Sequence, residues 1–564
     1  MRRDDIEVLG PVGDRYDEVL TPEALAFVAL LHDAFAGRRA DLLSARRERT
    51  RRLLSGEEQL GFREETRWIR DSDWRVPEPA PGLTRRRVEI TGPPTRTMTV
   101  NALNSGADVW MADFEDSTSP GWAEVVEGQL TLRDALTGQL EFTASSGKEY
   151  RLNATTAQIV VRPRGWHLVD KHVRVDGASV AGALLDAGLY LFHCARRQVA
   201  AGAGPYFYLP KLESAHEARL WHDVFRCAEE ALDLVRGTIR ATVLIETLPA
   251  AFEMDEILHA LGPYAAGLNA GRWDYLFSVM KNRREDPAAA LPDRSRLTMT
   301  VPFMRAYTEL LVRTCHRRGA FAIGGMAAAV PSRHDPEAGA RALAAVRADK
   351  EREAGDGFDG SWVAHPGLVG TAMAAFDAVL RGADDQRSRT RDDVAVAAED
   401  LLDLSSAPGE ATEAGLRADV RVCLLYLQAW LGGSGAVAID GLMEDAATVE
   451  ISRTQVWMWL RHGRRLDDGR TVTPQLVRRV LDQEYGRAGA ELAGVDGAPD
   501  RLRRALALTE GFLLGEEFPA FITTGAYLTE LARPLRSVPS VRATRSVPPA
   551  RTRVDLRTAD PVPA

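Results

Sequence analysis

The chain of 564 residues has only four cysteines, Cys194, Cys227, Cys315 and Cys423, and no two lie closer than 33 residues apart. That spacing leaves no CxxC pair. A zinc ribbon, a redox dithiol and a disulfide-stapled scaffold are therefore unsupported, and free thiols in a reducing cytoplasm are expected. Long apolar runs are also missing. Nothing reaches the roughly 18 residues needed to span a bilayer, and the start, Met-Arg-Arg-Asp-Asp, has no apolar signal core. A membrane partner is not expected. Excess positive charge is absent too: the net charge is −9, which argues against general nucleic-acid binding. No GxSxG elbow, P-loop or GxGxxG fingerprint occurs, and no His/Cys cluster suits zinc.

What remains is an ordinary globular balance, 45% hydrophobic and 27% charged, which supplies a large core without disulfides. At roughly 150 residues per domain the length predicts several domains, or fewer if one is a barrel. Residues 1–82 are helical and charged in pattern: Ala24 to Phe35 repeats apolar residues at helical spacing, and Arg38 to Glu65 is rich in Arg, Glu and Leu. Pro77, Pro79 and Pro81 mark a boundary. Eight short apolar runs follow, at Arg87–Ile90, Val109–Phe114, Gln158–Arg162, Tyr206–Lys211, Ala241–Glu246, Ala266–Asn269, Ala320–Gly324 and Ser361–His365. Helix-like stretches separate several of them, one opened by Ser214-x-x-Glu217 as a capping box. The alternation predicts an α/β fold, a (β/α)8 barrel over 83–385, with a less regular insertion near 120–153. Residues 386–532 are helical again. Ser452-x-x-Gln455 is expected to open one of those helices and Gly463 to end it. The tail, 533–564, is rich in Pro and Arg with a local net charge of +5, and is expected to be disordered.

A (β/α)8 enzyme carries its chemistry at the C-terminal ends of its strands. There this sequence places Asp113-Phe114-Glu115-Asp116-Ser117, Arg162-Pro163-Arg164, Glu246-Thr247 and Gly271-Arg272-Trp273-Asp274. Glu246 and Asp274 come from neighbouring strands, so their carboxylates can converge. Hard oxygen ligands completed by water suit Mg2+. Glu115 and Asp116 join them at the mouth, and Arg162 supplies a fixed cation able to stabilise an oxyanion. The alternative is that each carboxylate simply pairs with a strand-end arginine. Gly267 and Gly271 allow close backbone approach to a small anion, but alone they are only turn formers. Gly432-Gly433-Ser434-Gly435 follows no strand and is expected to be a loop.

Together these segments resemble the malate synthases of the shorter A type. The likeness rests on Thr91-Gly92-Pro93, Asp113–Ser117, Arg162–His167, Tyr208-Leu209-Pro210-Lys211, Ile245-Glu246-Thr247, Gly267–Tyr275, Gly324-Gly325-Met326, His365-Pro366-Gly367 and Gly441-Leu442-Met443-Glu444-Asp445-Ala446-Ala447-Thr448. The resemblance implies an N-terminal helical clasp, the barrel and a C-terminal helical plug. It implies Mg2+-dependent condensation of acetyl-CoA with glyoxylate to give malate and CoA. By motif position it makes Glu246 and Asp274 the metal ligands, Arg162 the catalytic arginine and Asp445 the catalytic base. Glu115 and Asp116 become acidic lining, and Gly271, Arg272 and Trp273 a cradle for glyoxylate. It puts Pro366, Met326 and Trp362 near acetyl-CoA. Without the motif, Asp445 would read as an ordinary helix N-cap. Two rival readings are a malyl- or citramalyl-CoA lyase on the same barrel, which would lack the plug, and a non-catalytic barrel scaffold. A monomer or small homo-oligomer is expected.

Overall fold

The computed structural model describes residues 5–331 and 335–532, and the backbone of 541–544. Eight parallel strands close a barrel in chain order: β1 (Val88–Gly92), β2 (Val109–Asp113), β3 (Gln158–Arg162), β4 (Tyr206–Leu209), β5 (Arg240–Ile245), β6 (Ala265–Ala270), β7 (Phe321–Ala327) and β8 (Gly360–Val363), which pairs back to β1. Each expected run lies on one of these strands, with ends shifted by a few residues. Alternate residues divide between two apolar environments. Val109 and Met111 of β2 point inward with Tyr208, Leu244, Ile323 and Trp362, while Trp110 and Ala112 face the surrounding helices. Burial on both faces makes such strands continuous apolar runs rather than alternating ones.

The barrel interior also holds a buried polar group. Arg86 donates to Glu89 (2.7 Å), to Thr242 (2.9 Å) and to the Tyr208 hydroxyl (2.8 Å), and the Trp362 indole donates to Glu89 (3.1 Å). Arg86 is 1% and Glu89 0% exposed, so neither charge has water to fall back on. Glu89→Gln keeps the shape but removes the charge; it should cost about 2 kcal/mol in a urea unfolding experiment.

The clasp helix Pro22–Ser55 begins at Thr21, whose side chain accepts from the Ala24 amide, and ends at Gly56 with φ 77°. Its first half buries Leu25, Val28, Leu31 and Phe35. Its second half docks by charge, through Arg38 to Asp223, Arg46 to Glu217 and Arg49 to Glu253. The N-terminal region is not wholly helical. Strand Asp5–Val8 lies between Val541–Thr544 and Val169–Val175 in an antiparallel sheet completed by Ala178–Ala181. Short chain ends carry little periodic signal, and this sheet joins segments far apart in sequence. The strand at 541–544 departs from the expected disorder; the rest of 533–564 lies outside the described residues.

Segment 120–153 is mostly the ordinary helix after β2, Trp122–Thr137, followed by the hairpin Phe142–Thr143 and Glu149–Tyr150. Ser214 does precede helix Ala215–Ala231, but its hydroxyl makes no cap bond: the Glu217 amide donates to the Ser214 carbonyl (3.2 Å), while the Glu217 side chain accepts from the Glu213 amide (2.8 Å) and pairs with Arg46. The plug contains helices Glu413–Trp430, Ala446–Arg461, Pro474–Glu491 and Ala498–Leu514, with the hairpin Val437–Ile439 and Leu442–Glu444. Ser452 does not start a helix. It lies fully buried inside Ala446–Arg461, whose N-cap is Asp445, while Gly463 (φ 57°) follows the end as expected.

Candidate active site

Five strand ends deliver charged groups to one face of the barrel. At the end of β2, Asp113 acts as a hub. Its Oδ1 accepts from the amides of Glu115 (2.9 Å) and Asp116 (3.3 Å), and its Oδ2 from Ser117 (2.8 Å). These bonds fold 113–117 into a tight turn that presents both following carboxylates. The same Asp113 carboxylate clamps Arg162 of β3 through Nε (2.6 Å) and Nη2 (2.5 Å), and Arg162 Nη1 lies 3.1 Å from Asp116. A planar guanidinium held at two points cannot swing away. Its carbon sits 5.8 Å from the Trp362 ring centre, so Trp362 forms a floor beneath it. The acidic partner of Arg162 is thus chiefly Asp113, with Asp116 second and Glu115 not in hydrogen-bond contact.

β4 leads into Lys211, whose ammonium lies 3.0 Å from Glu115, 2.9 Å from Asp116 and 3.0 Å from Asp274. Its backbone is left-handed (φ 54°), and its amide donates to Glu246 Oε1 (2.7 Å). Lys211 therefore draws together Glu115, Asp116, Glu246 and Asp274. Among the described residues no three acidic, His or Cys side chains form a group ready to hold a metal ion; the Lys211 ammonium occupies the point on which Glu115, Asp116 and Asp274 converge.

Glu246 follows β5, and Asp274 lies in the first turn of helix Arg272–Asn282 after β6. Between them Gly271 must lack a side chain: a Cβ there would sit 2.7 Å from Glu246 Cβ. Gly271 donates to the Tyr307 hydroxyl (3.0 Å), and the helix that it caps points its N-terminus at the cluster's edge. Arg272 turns away, donating to the Leu297 carbonyl (3.0 Å) and stacking on Trp273. Met326 of β7 is half-buried and in register with Trp362 of β8, and Pro366 opens the turn Pro366–Leu368 at the rim.

The plug closes over this mouth. The Ala446 amide donates to the Asp116 carbonyl (3.3 Å), the Met443 amide to Ala328 (2.8 Å), and Thr118 bridges Ser434 in the loop 432–435. Asp445 is thereby set beside the barrel groups. It is the N-cap of helix Ala446–Arg461, with Oδ1 accepting from the Thr448 amide (3.3 Å) and the Asp445 amide donating back to the Thr448 hydroxyl (3.0 Å). The capping role and the site position coexist.

Electrostatics separate the carboxylates. Burial works against ionisation of Asp116, but Lys211 and Arg162 outweigh it and hold that group down at about 2. Burial and the neighbouring Asp116 push Glu115 well up. Burial raises Glu246, and raises Asp274 to about 6. Burial, reinforced by Asp116, pushes Asp445 up to about 8. One face thus carries a permanent cation, oxygen donors and a carboxylate of unusually high basicity, the elements of proton abstraction beside a stabilised anion.

Two groups in this arrangement, Asp113 and Lys211, stand inside the motifs without a role that the sequence itself marks. A usable signal existed for Lys211: only five of the 71 Lys and Arg residues are lysines, and this one follows a barrel strand directly.

The barrel, its strand-end charges and its helical cover define a (β/α)8 enzyme. Family models for malate synthase match at residues 4–67 (N-terminal domain), 158–404 (TIM barrel domain) and 410–529 (C-terminal). The malate synthase of Streptomyces clavuligerus is 56% identical over 526 residues, covering 92% of this chain and 97% of that one. The Myxococcus xanthus malate synthase is 52% identical (91% and 94% covered), and Escherichia coli malate synthase A is 46% identical (93% and 98% covered). The chain belongs to the malate synthase family.

Proposed function

We propose that this chain is an acyltransferase that condenses acetyl-CoA with glyoxylate and hydrolyses the malyl thioester to malate and CoA. The observation that carries the residue assignment is Asp445, a carboxylate raised to about 8 and set by the plug against the Asp116 backbone.

The acetyl methyl is a far weaker acid than any carboxylic acid. A positioned base contributes about 10²–10⁴-fold, or roughly 3–5 kcal/mol, and the rest must come from stabilising charge on the thioester oxygen. Asp445 takes the proton. Arg162, held rigid by Asp113, faces the enolate oxygen that forms, so no reorganisation is needed at that moment. Trp362 and Met326 shape the acetyl side of the site, with Pro366 at the rim. The free amides at the start of helix Arg272–Asn282 suit the glyoxylate carboxylate.

Glu246 and Asp274 would hold Mg2+. The residues fit such an ion: the donors are all hard oxygens, Asp274 Oδ1 is buried without any hydrogen-bond partner, and the cluster already gathers one cation around itself. Mg2+ bound there supplies a Lewis acid that orients and polarises the aldehyde. We place the enzyme in the cytoplasm, where its four free cysteines stay reduced.

The deciding measurement is release of free CoA from acetyl-CoA plus glyoxylate, with Mg2+ and again with a chelator. Mg2+-dependent release with stoichiometric malate is expected. Absence of release from that pair, or cleavage of malyl-CoA without any condensation, would overturn the proposal in favour of a lyase.

A further inference from the structure

We propose that Arg294 is a positioning residue that locks the base-bearing hairpin of the plug to the substrate loop of the barrel. The inference rests on the roles proposed above for Asp445 and for the loop 271–274.

Arg294 lies in the connection between helices Arg272–Asn282 and Pro302–Arg318, outside every motif that the sequence singled out. Its side chain is 11% exposed. Two of its nitrogens reach the Glu444 carboxylate, Nη2 at 2.6 Å and Nη1 at 3.2 Å, and Glu444 is the residue immediately before Asp445. Its Nε lies 3.5 Å from Asp419 on helix Glu413–Trp430. Its guanidinium carbon sits 5.4 Å from the ring centre of Trp273, the residue before Asp274. Its own amide donates to the Gln455 side chain (3.1 Å), two turns into the helix that Asp445 caps.

Arg294 thus touches the plug on both sides of Asp445 and touches the barrel loop one residue from a proposed metal ligand. A forked guanidinium fixes direction as well as distance, which a point charge cannot do. The neighbouring contacts strengthen the same seam: Trp459 donates to the Leu291 carbonyl (2.7 Å), and the Asp293 carboxylate accepts from the Thr412 amide (2.9 Å) and hydroxyl (2.7 Å). Those contacts hold the plug on the barrel. Arg294 touches both the hairpin that carries Asp445 and the loop 271–274, so its loss should displace Asp445 without detaching the plug. Reacting groups misplaced by about 1 Å lose about 100-fold in rate.

The test compares the full-length wild type with Arg294→Met, Arg294→Lys, Glu444→Gln and the double variant Arg294→Met/Glu444→Gln. Four readouts are taken: kcat, KM for glyoxylate, Mg2+ affinity by calorimetry, and amide hydrogen exchange across 437–449. We expect kcat to fall about 10- to 100-fold in each Met or Gln single variant, with KM and Mg2+ affinity within twofold of wild type. The double variant should be no slower than the worse single. Lys should recover part of the rate, and exchange should quicken at 437–449 while the barrel strands stay protected. Wild-type kcat in Arg294→Met overturns the proposal, as does a parallel loss of Mg2+ affinity and barrel protection, the pattern of general unfolding. If the wild type itself makes no malate, the activity reading fails. The exchange pattern still decides whether Arg294 couples the two segments.

Discussion

Asp445→Asn should lower malate formation by about 10²–10⁴-fold while leaving Mg2+ binding and the KM for glyoxylate near wild type. Asparagine is the informative substitute because of the second job that Asp445 performs. Its side chain caps helix Ala446–Arg461, and Asn caps as well as Asp, so the fold at the helix start is preserved. Alanine would mix the loss of the base with about 1 kcal/mol of lost capping. A pH profile gives a second readout. The carboxylate is the working form of the base, and burial reinforced by Asp116 sets the carboxyl at about 8 in the metal-free protein. Activity must therefore fall as pH drops through the base's value. Bound Mg2+ lowers that value by its charge, so the acid limb should lie below 8 in the loaded enzyme. Exchange of the acetyl methyl with deuterated water should disappear in the variant along with the limb. Near-normal malate formation by Asp445→Asn, or exchange that persists, would remove the residue from the mechanism.

The same residue shows how sequence and structure divide the work. As an isolated letter Asp445 reads as a helix cap, and it is one; only its motif marked it for chemistry, and only the closed plug shows both at once. The eight barrel strands were legible because strands buried on both faces stand out as apolar runs broken by polar turns. Strand Asp5–Val8 was not, since its partners are some 165 and 535 residues away and a four-residue strand carries almost no pattern of its own. Ser452 misled because a capping box is a local rule, whereas here the two turns before it are buried helix already capped at Asp445. Among the site groups, carboxylates at strand ends, Asp113 included, can be picked out by type and position. The holding role of Asp113 and the whole of Arg294 cannot, because their importance lies in what they hold: Asp113 folds its own turn around Arg162, and Arg294 meets Glu444 across 150 residues of chain.

Lys211→Met should destabilise the metal-free protein by about 3–5 kcal/mol, and millimolar Mg2+ should restore much of that loss. The ammonium lies within about 3 Å of three buried carboxylates, and none of the four groups is more than 7% exposed. Removing it leaves like charges facing one another without water, a cost much larger than that of losing a surface pair. The carboxylates can respond only by taking up protons or by moving apart. Backbone strain is a competing account, because a non-glycine residue at φ 54° is itself held in an unfavourable conformation. The two accounts differ in sign for Lys211→Gly. If strain dominates, glycine relieves it and stabilises; if charge dominates, glycine removes the cation and destabilises as methionine does. Charge should dominate, since left-handed strain is worth only about 1–2 kcal/mol. Mg2+ then supplies the missing positive charge, so the rise in melting temperature on adding Mg2+ should be larger for Lys211→Met than for wild type. A metal-free variant that melts with the wild type, or a Mg2+ effect no larger than the wild-type one, would mean that the carboxylates tolerate one another without Lys211. In that case their convergence at the mouth would owe nothing to this buried cation.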